Sequence, residues 1–363
     1  MIYFIIFISI VLSFFLLKLV VLFAYKRKIF DKQSDRKIHH GNIPRVGGIA
    51  FVPAALISFL LAVLILTINP SLQIFCVNCS FTNELLVVTC SIIVIYLFGI
   101  YDDVLGLRYR VKFLYQILTG LFLCLAGIYL ADIHGVFSLY ELPPLFGFFV
   151  TIFLFVLAIN AFNFIDGIDG LLSGIAILGL GYFAVVLYNN GNYFYLLAVA
   201  YLCALVPFFC FNVFGKESKR TKTFMGDTGS TVLGLLMFVL ALFVNKDAKS
   251  VELYDNPFVL GFAPLLLPFY DVFSVVFFRI LNSANPFKAD NNHFHHKLLK
   301  LGFSQHKTLV TELVVYAVIT IGTLIMCKYI NLNIVIGSSI MLWIFINYVL
   351  IKLIQSKRVS QLR

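Results

Sequence analysis

Charged side chains are scarce in this sequence: Asp, Glu, Lys and Arg make up 12% of 363 residues, against 61% apolar residues with 40 Phe. A soluble domain carries about twice that charge and far less apolar bulk, so the scarcity excludes one and points to an all-α, polytopic integral membrane protein. No low-complexity linker, repeat or polar domain interrupts the chain, which therefore reads as a single membrane-embedded domain over 1–363. The first apolar window is too long to read as a cleaved signal, lacks both a basic start and a small-residue cleavage site, and is expected to be a retained helix. The seven cysteines fall mostly inside apolar windows, where a thiol acts as a small hydrophobe. The exception is "CVNC", Cys76 to Cys79, for which a disulfide and chance spacing are the competing readings.

Long hydrophobic runs, in contrast, are abundant. Windows long enough to cross about 30 Å of hydrocarbon fall near 2–24, 46–68, 84–101, 113–131, 143–160, 171–188, 193–214, 229–245, 257–280, 308–327 and 333–352, giving about eleven transmembrane helices. The segments 25–45, 102–112, 215–228, 281–307 and 353–363 hold 21 basic residues, whereas the intervening ones hold only Lys246, Lys249 and Lys328. Basic residues near short loops resist translocation, so the N-terminus is expected outside and the C-terminus in the cytoplasm. The net charge of +10 is mostly this topology signal. A basic cytoplasmic face also attracts anionic lipids and phosphorylated substrates. Nucleic acid is not an expected partner, because the basic residues are scattered over many short loops.

The acidic residues collect on the same side: Asp102, Asp103, Asp166, Asp169, Asp227 and Asp290 all fall in or beside loops that the basic residues place inside. Carboxylates gathered at a membrane face are costly unless they bind cations or substrate. In "NAFNFIDGIDGLLSG", Asn160, Asn163 and Asp166 share an arc of about 120° on a helix, and Gly167 and Gly170 favour a turn that brings Asp169 to the same side. A plain helix cap is the competing reading, strongest for Asp169. In "YDDVLGLRYRVK", adjacent Asp102 and Asp103 repel each other unless neutralised, either locally by Arg108, Arg110 and Lys112 or by a magnesium ion or phosphate-bearing partner.

In "FMGDTGS", Asp227 stands before a span expected from Gly229, where backbone N–H groups suit an anion with its metal ion; an ordinary N-cap is the alternative. In "HFHHK", His293 and His296 share a helical face and His295 is expected to point elsewhere. No Cys or Glu completes a zinc site there, so phosphate or base contacts aided by Lys297 compete with a solvated loop. In "DRKIHHGNIPRVGG", Arg36, Lys37, His39, His40 and Arg45 read as a positive-inside anchor, while Gly47-Gly48 also permits close approach of a ligand. Asp271 lies inside a span, out of reach of Arg279 two turns on, and reads as a structural partner or a wall of the site.

Together Asp102-Asp103, N-x-x-N-x-x-D-G-x-D-G-L from Asn160, Gly226-Asp227 and H-x-H-H from His293 resemble, in order and across nearly the whole chain, the polyprenyl-phosphate N-acetylhexosamine-1-phosphate transferases. The H-x-H-H form with "PRVGG" upstream is similar to the branch that uses UDP-N-acetylglucosamine. The resemblance implies transfer of N-acetylhexosamine-1-phosphate from a UDP-sugar to undecaprenyl phosphate, with release of UMP. It implies a bacterial inner-membrane enzyme, an active site on the cytoplasmic face, a first step of envelope polysaccharide synthesis such as lipopolysaccharide O-antigen, and room for a homodimer. It also implies Mg²⁺, with Mn²⁺ as a substitute, on Asp227 with Asn163 as co-ligand. Asp102, Asp103, Asp166 and Asp169 become catalytic candidates, and His293, His295, His296, Asn160, Arg45 and Lys112 nucleotide-sugar or phosphate contacts. A cation-coupled transporter is the alternative, since intramembrane carboxylates and broken helices suit carriers. Against it, the carboxylates gather at one face and no inverted repeat is visible. An inert scaffold, indifferent to mutation of the four motifs, is the third reading.

Overall fold

The computed structural model describes residues 1–30, 42–69, 83–247, 256–281, 283 and 292–362. Cys76, Cys79, Arg36, Lys37, His39, His40 and Asp290 lie outside the described residues. The helices are α1 (Ile2–Arg27), α2 (Gly47–Ile68), α3 (Asn83–Leu105), α4 (Tyr109–Leu125), α5 (Pro144–Ile165), α6 (Leu171–Asn189), α7 (Tyr195–Val213), α8 (Gly226–Asp247), α9 (Pro257–Phe262), α10 (Leu266–Leu281), α11 (Phe294–Lys300), α12 (Gln305–Met326) and α13 (Leu332–Leu362). A 3₁₀ turn, Ala263–Leu265, joins α9 to α10 into one pass. The described residues contain no strand, only isolated bridges such as Arg45 with Phe224. Such a chain satisfies its backbone within helices, as hydrocarbon demands.

Ten of these elements, counting α9 with α10, are long and apolar enough to cross a membrane. The eleventh expected span falls on α4, but displaced: the helix is 17 residues long and starts four residues earlier than the apolar window. It stops at Leu125 because Gly127 takes φ +83°, turning the chain away, so the window's last residues are not helical. At about 1.5 Å per residue α4 measures about 26 Å, the short end of what spans a bilayer. Contacts at its two ends show that it runs the length of the bundle. Lys112 in its first turn meets Asp227 at the start of α8, while the segment after it meets Asn245 and Asn256 around the end of α8. Among the described residues α4 thus runs alongside the ten long apolar elements, where the eleventh span was expected.

At the centre stands α8, almost wholly buried, packed by α2, α3, α5, α6 and α9. Small residues permit this. A Cβ on Gly99 of α3 would lie 2.5 Å from the Cα of Thr228, and one on Gly234 of α8 would lie 2.7 Å from the Cα of Ile159 in α5. Without a hydrophobic drive between helices in lipid, such close backbone approach is the main source of packing energy. The helices alternate so that α1, α3, α5, α7, α10 and α13 end where α2, α4, α6, α8 and α12 begin. All four polar motifs are thereby delivered to one end of the bundle.

Candidate active site

The centre of that end is the N-terminus of α8. Its first turn leaves backbone N–H groups without helical partners, and the carboxylate of Asp103, from the end of α3, supplies the acceptors. Asp103 Oδ1 accepts from the N–H of Asp227 at 2.8 Å, and Oδ2 accepts from the N–H and Oγ1 of Thr228 at 2.9 and 2.6 Å. Gly226, at φ +78°, makes room: a Cβ there would lie 2.5 Å from Asp103 Oδ2. Asp103 is thus a cap lent by another helix, and Asp227 sits inside the first turn of α8 rather than ahead of it.

Asp227 is held on both sides. Lys112 donates to Oδ2 at 2.8 Å, and Asn163 Nδ2, in the last turn of α5, donates to Oδ1 at 3.1 Å and to Ser230 Oγ at 2.8 Å. The same Lys112 ammonium pairs with Asp102, whose Oδ1 accepts from the N–H of Leu107 at 2.7 Å. One ammonium therefore bridges two carboxylates, in a place built for positive charge. Asn163, Asp227 and Asp102 present a hard, oxygen-rich donor set, since a rotated carboxamide offers its oxygen as readily as its nitrogen. The described residues hold no group of three or more His, Cys, Asp or Glu placed to bind a metal by themselves. Mg²⁺ fits such a site, because it takes one or two carboxylates and completes its shell with water and substrate phosphates.

The long Asn160 motif is divided by the fold. Asn160 ties α5 to α4 by donating to Gln116 Oε1 at 2.8 Å, and so does not join the carboxylates. Asp166 follows the last residue of α5 with its surface open to solvent. The density of protein around it, against the pull of Arg45 and with the added repulsion of Asp227, Asp169 and Asp103, pushes its carboxyl up to about 7. Asp169 turns to the other side, accepting from Lys222 at 2.6 Å and Asn212 Nδ2 at 3.4 Å. Asn212 also accepts from the N–H of Gly170 at 2.6 Å, locking the turn that starts α6. Lys222, Asn212 and Ser230 were invisible as partners in the sequence, where they stand among ordinary loop and helix residues.

Arg45 reaches the site by a short backbone pairing. Phe224 N–H donates to Pro44 O at 2.9 Å, and the N–H groups of Gly47 and Gly48 donate to the carbonyls of Phe224 and Met225, both at 2.9 Å. The "PRVGG" stretch is thereby tied to the strand-like approach to Asp227.

The histidine motif differs from its sequence reading. His293 is not helical; it caps α11 in an extended conformation, so helical spacing does not govern it. Its ring lies parallel to that of His295, centroids 5.9 Å apart, and His296 is 4.1 Å from His295, so His295 is not turned away from the others. His295 is buried against Gly167, where a Cβ would come 2.0 Å from its Nε2, and burial holds its imidazole well below the usual range, hence neutral. The missed partner is Asp271, whose Oδ2 is 2.7 Å from His293 Nδ1.

A profile described as glycosyl transferase family 4 matches residues 85–245, the interval from the first turn of α3 to the last of α8. The chain is 30% identical over 292 residues to an undecaprenyl-phosphate alpha-N-acetylglucosaminyl 1-phosphate transferase of Yersinia pestis, covering 79% of this chain and 74% of that protein. It is 28% identical over 291 residues to the protein of that name in Escherichia coli K12, covering 79% and 73%. A probable undecaprenyl-phosphate N-acetylglucosaminyl 1-phosphate transferase of Bacillus subtilis is 28% identical over 335 residues, covering 92% and 84%.

Proposed function

The chain belongs to the polyprenyl-phosphate N-acetylhexosamine-1-phosphate transferases, in their undecaprenyl-phosphate N-acetylglucosaminyl branch, and from that premise we propose how its site performs the transfer. The protein is a multi-pass membrane enzyme that moves N-acetylglucosamine-1-phosphate onto undecaprenyl phosphate. UDP-N-acetylglucosamine is the donor. An oxygen of the lipid phosphate attacks the phosphorus that bears the sugar, the bond from that phosphorus to the bridging oxygen breaks, and UMP leaves with the oxygen. The observation that carries this reading is Asp227, fixed by Asn163 and Lys112 at the start of a helix that ends at the far side of the bilayer.

Bringing two anionic phosphates together is the main barrier, and positioning with charge neutralisation lowers it. Asp227 and Asn163 would hold Mg²⁺, which when bound neutralises phosphate oxygens and clamps them. Lys112 and Arg45 supply fixed positive charge to the same oxygens. Asp102 and Asp103 set the stage: the first fixes Lys112, the second fixes the turn that carries Asp227. A phosphate monoester has a second pKa of about 6, so the lipid nucleophile needs no base at neutral pH. Asp169, paired with Lys222, serves the architecture of the turn.

The end of the bundle that carries the site is also the basic end, which supports a cytoplasmic site; the bacterial inner membrane and a first membrane step of envelope polysaccharide synthesis, such as that of lipopolysaccharide O-antigen, are part of the same proposal. The carrier reading has no support: Asp102, Asp103, Asp166, Asp169 and Asp227 gather at one end of the bundle, and the relatives are named as transferases. The test is UMP release by the purified protein given undecaprenyl phosphate, Mg²⁺ and a panel of UDP-sugars. Release with UDP-N-acetylglucosamine that requires both lipid and metal is expected; release with another sugar alone overturns the donor, and none from folded protein overturns the reaction.

A further inference from the structure

Asp271 is a carboxylate in the middle of α10 with 2% of its surface exposed, an expensive place for charge in a membrane protein. Its two oxygens are used differently. Oδ1 accepts from the N–H of Phe294 at 2.9 Å, which caps the short helix α11. Capping accounts for one oxygen only. Oδ2 meets His293 Nδ1 at 2.7 Å, across 22 residues of chain. A carboxylate accepts and does not donate, so this contact requires the proton of the imidazole on Nδ1 and leaves Nε2 as the ring nitrogen that Asp271 does not hold.

The ring is further confined on its faces. Phe164, next to Asn163, lies 5.7 Å from one side of the His293 ring, and His295 lies parallel at 5.9 Å. His295 is itself pressed on Gly167, so the histidine motif is docked on the motif that carries Asn163 and Asp166. A histidine with a fixed proton, a fixed ring plane and one remaining nitrogen is prepared for a single directional bond.

We propose that Asp271 is a positioning residue for the transfer reaction: by holding His293 Nδ1–H it aims Nε2 at the nucleotide-sugar. The proposal rests on the transferase reading above and adds to it a residue in a spanning helix that touches no substrate. A carboxylate that merely caps α11 would matter to folding and to both substrates alike. One that aims His293 matters through His293, and for the donor alone.

The experiment is a double-mutant cycle of Asp271→Asn, His293→Gln and both together. Asparagine has one acceptor oxygen for two donors, so one of the bonds is lost while the volume is kept. The KM for UDP-N-acetylglucosamine is expected to rise by about tenfold or more, the KM for undecaprenyl phosphate to change less than about twofold, and the double variant to match His293→Gln alone. Multiplying effects, an equal rise in both KM values, or an unimpaired Asp271→Asn overturns the proposal. Should that variant fail to fold, ¹⁵N NMR of histidine in the wild-type protein decides: a proton on His293 Nδ1 is expected, and the tautomer protonated on Nε2 alone overturns it. Wild-type protein that releases no UMP would instead sink the transferase reading and leave the NMR result standing.

Discussion

The two ends of this helix bundle are tied together by opposite chemistry. At the site end charged ties stand beside the carboxamides of Asn160 and Asn212: Lys112 with Asp102 and Asp227, Lys222 with Asp169, and Asp103 with the first amides of α8. At the far end most are neutral carboxamides clamping backbone. Asn245 donates to Asp132 O at 3.0 Å, Asn256 donates to His134 O at 2.7 Å, and Asn333 both accepts from Phe137 N–H at 2.7 Å and donates to Gly135 O at 3.0 Å. The one described ion pair between helix ends there, Lys246 with Glu84, is exposed and weak by comparison. More carboxamides of the kind that Asn160 and Asn212 supply would fasten the site end at lower desolvation cost. On the proposed reading, charge stands at the end where charged substrates would bind, and the site-end pairs would serve the reaction as well as the fold.

That contrast can be broken most severely at Asp227. Asp227→Asn keeps volume and the helix turn but removes the charge, and turnover should fall by about 100- to 1,000-fold with a melting temperature near wild type, as read by UMP release and thermal unfolding. Asp103→Ala should do the converse. It strips the acceptors from two amides and a hydroxyl, costing about 2 kcal/mol of stability, and slows turnover because the turn holding Asp227 loosens; Asp103→Asn, with one acceptor kept, should lose less of both in denaturant titration. At the far end, Asn333→Ala should cost about 1 kcal/mol and leave turnover per folded molecule unchanged. Loss of activity there would erase the distinction between the ends.

The smallest effect is expected at Glu312. It is 2% exposed in α12, and neither carboxylate oxygen has a hydrogen-bond partner among the described residues. Replacement of an unsatisfied buried polar group by an apolar one of similar size is neutral to stabilising, so Glu312→Leu should raise stability by up to about 1 kcal/mol. A large loss of stability would show that Glu312 has a partner.

The polytopic helical fold, ten of the eleven expected spans and the gathering of the motif carboxylates at one end were legible in the sequence, because hydropathy windows and basic-residue asymmetry follow directly from the bilayer as solvent. Roles within the cluster were not. Asp102 and Asp103 are adjacent and look alike, yet one binds a lysine and the other caps a helix 124 residues away. Hydropathy also misplaced α4, whose first turn is basic because it belongs to the site, and whose end is set by the turn at Gly127 rather than by loss of apolar character. Asp271 and His293 could not be paired from spacing, since His293 lies outside the helical register that spacing presumes.

The most direct test of the central claim is mass measurement of the lipid recovered after wild-type protein and Asp227→Asn are given undecaprenyl phosphate, UDP-N-acetylglucosamine and Mg²⁺. Undecaprenyl diphosphate bearing one N-acetylglucosamine, formed by the wild type and nearly absent with Asp227→Asn, is the expected result. Unchanged lipid with folded wild-type protein, or equal product from both, would contradict the account.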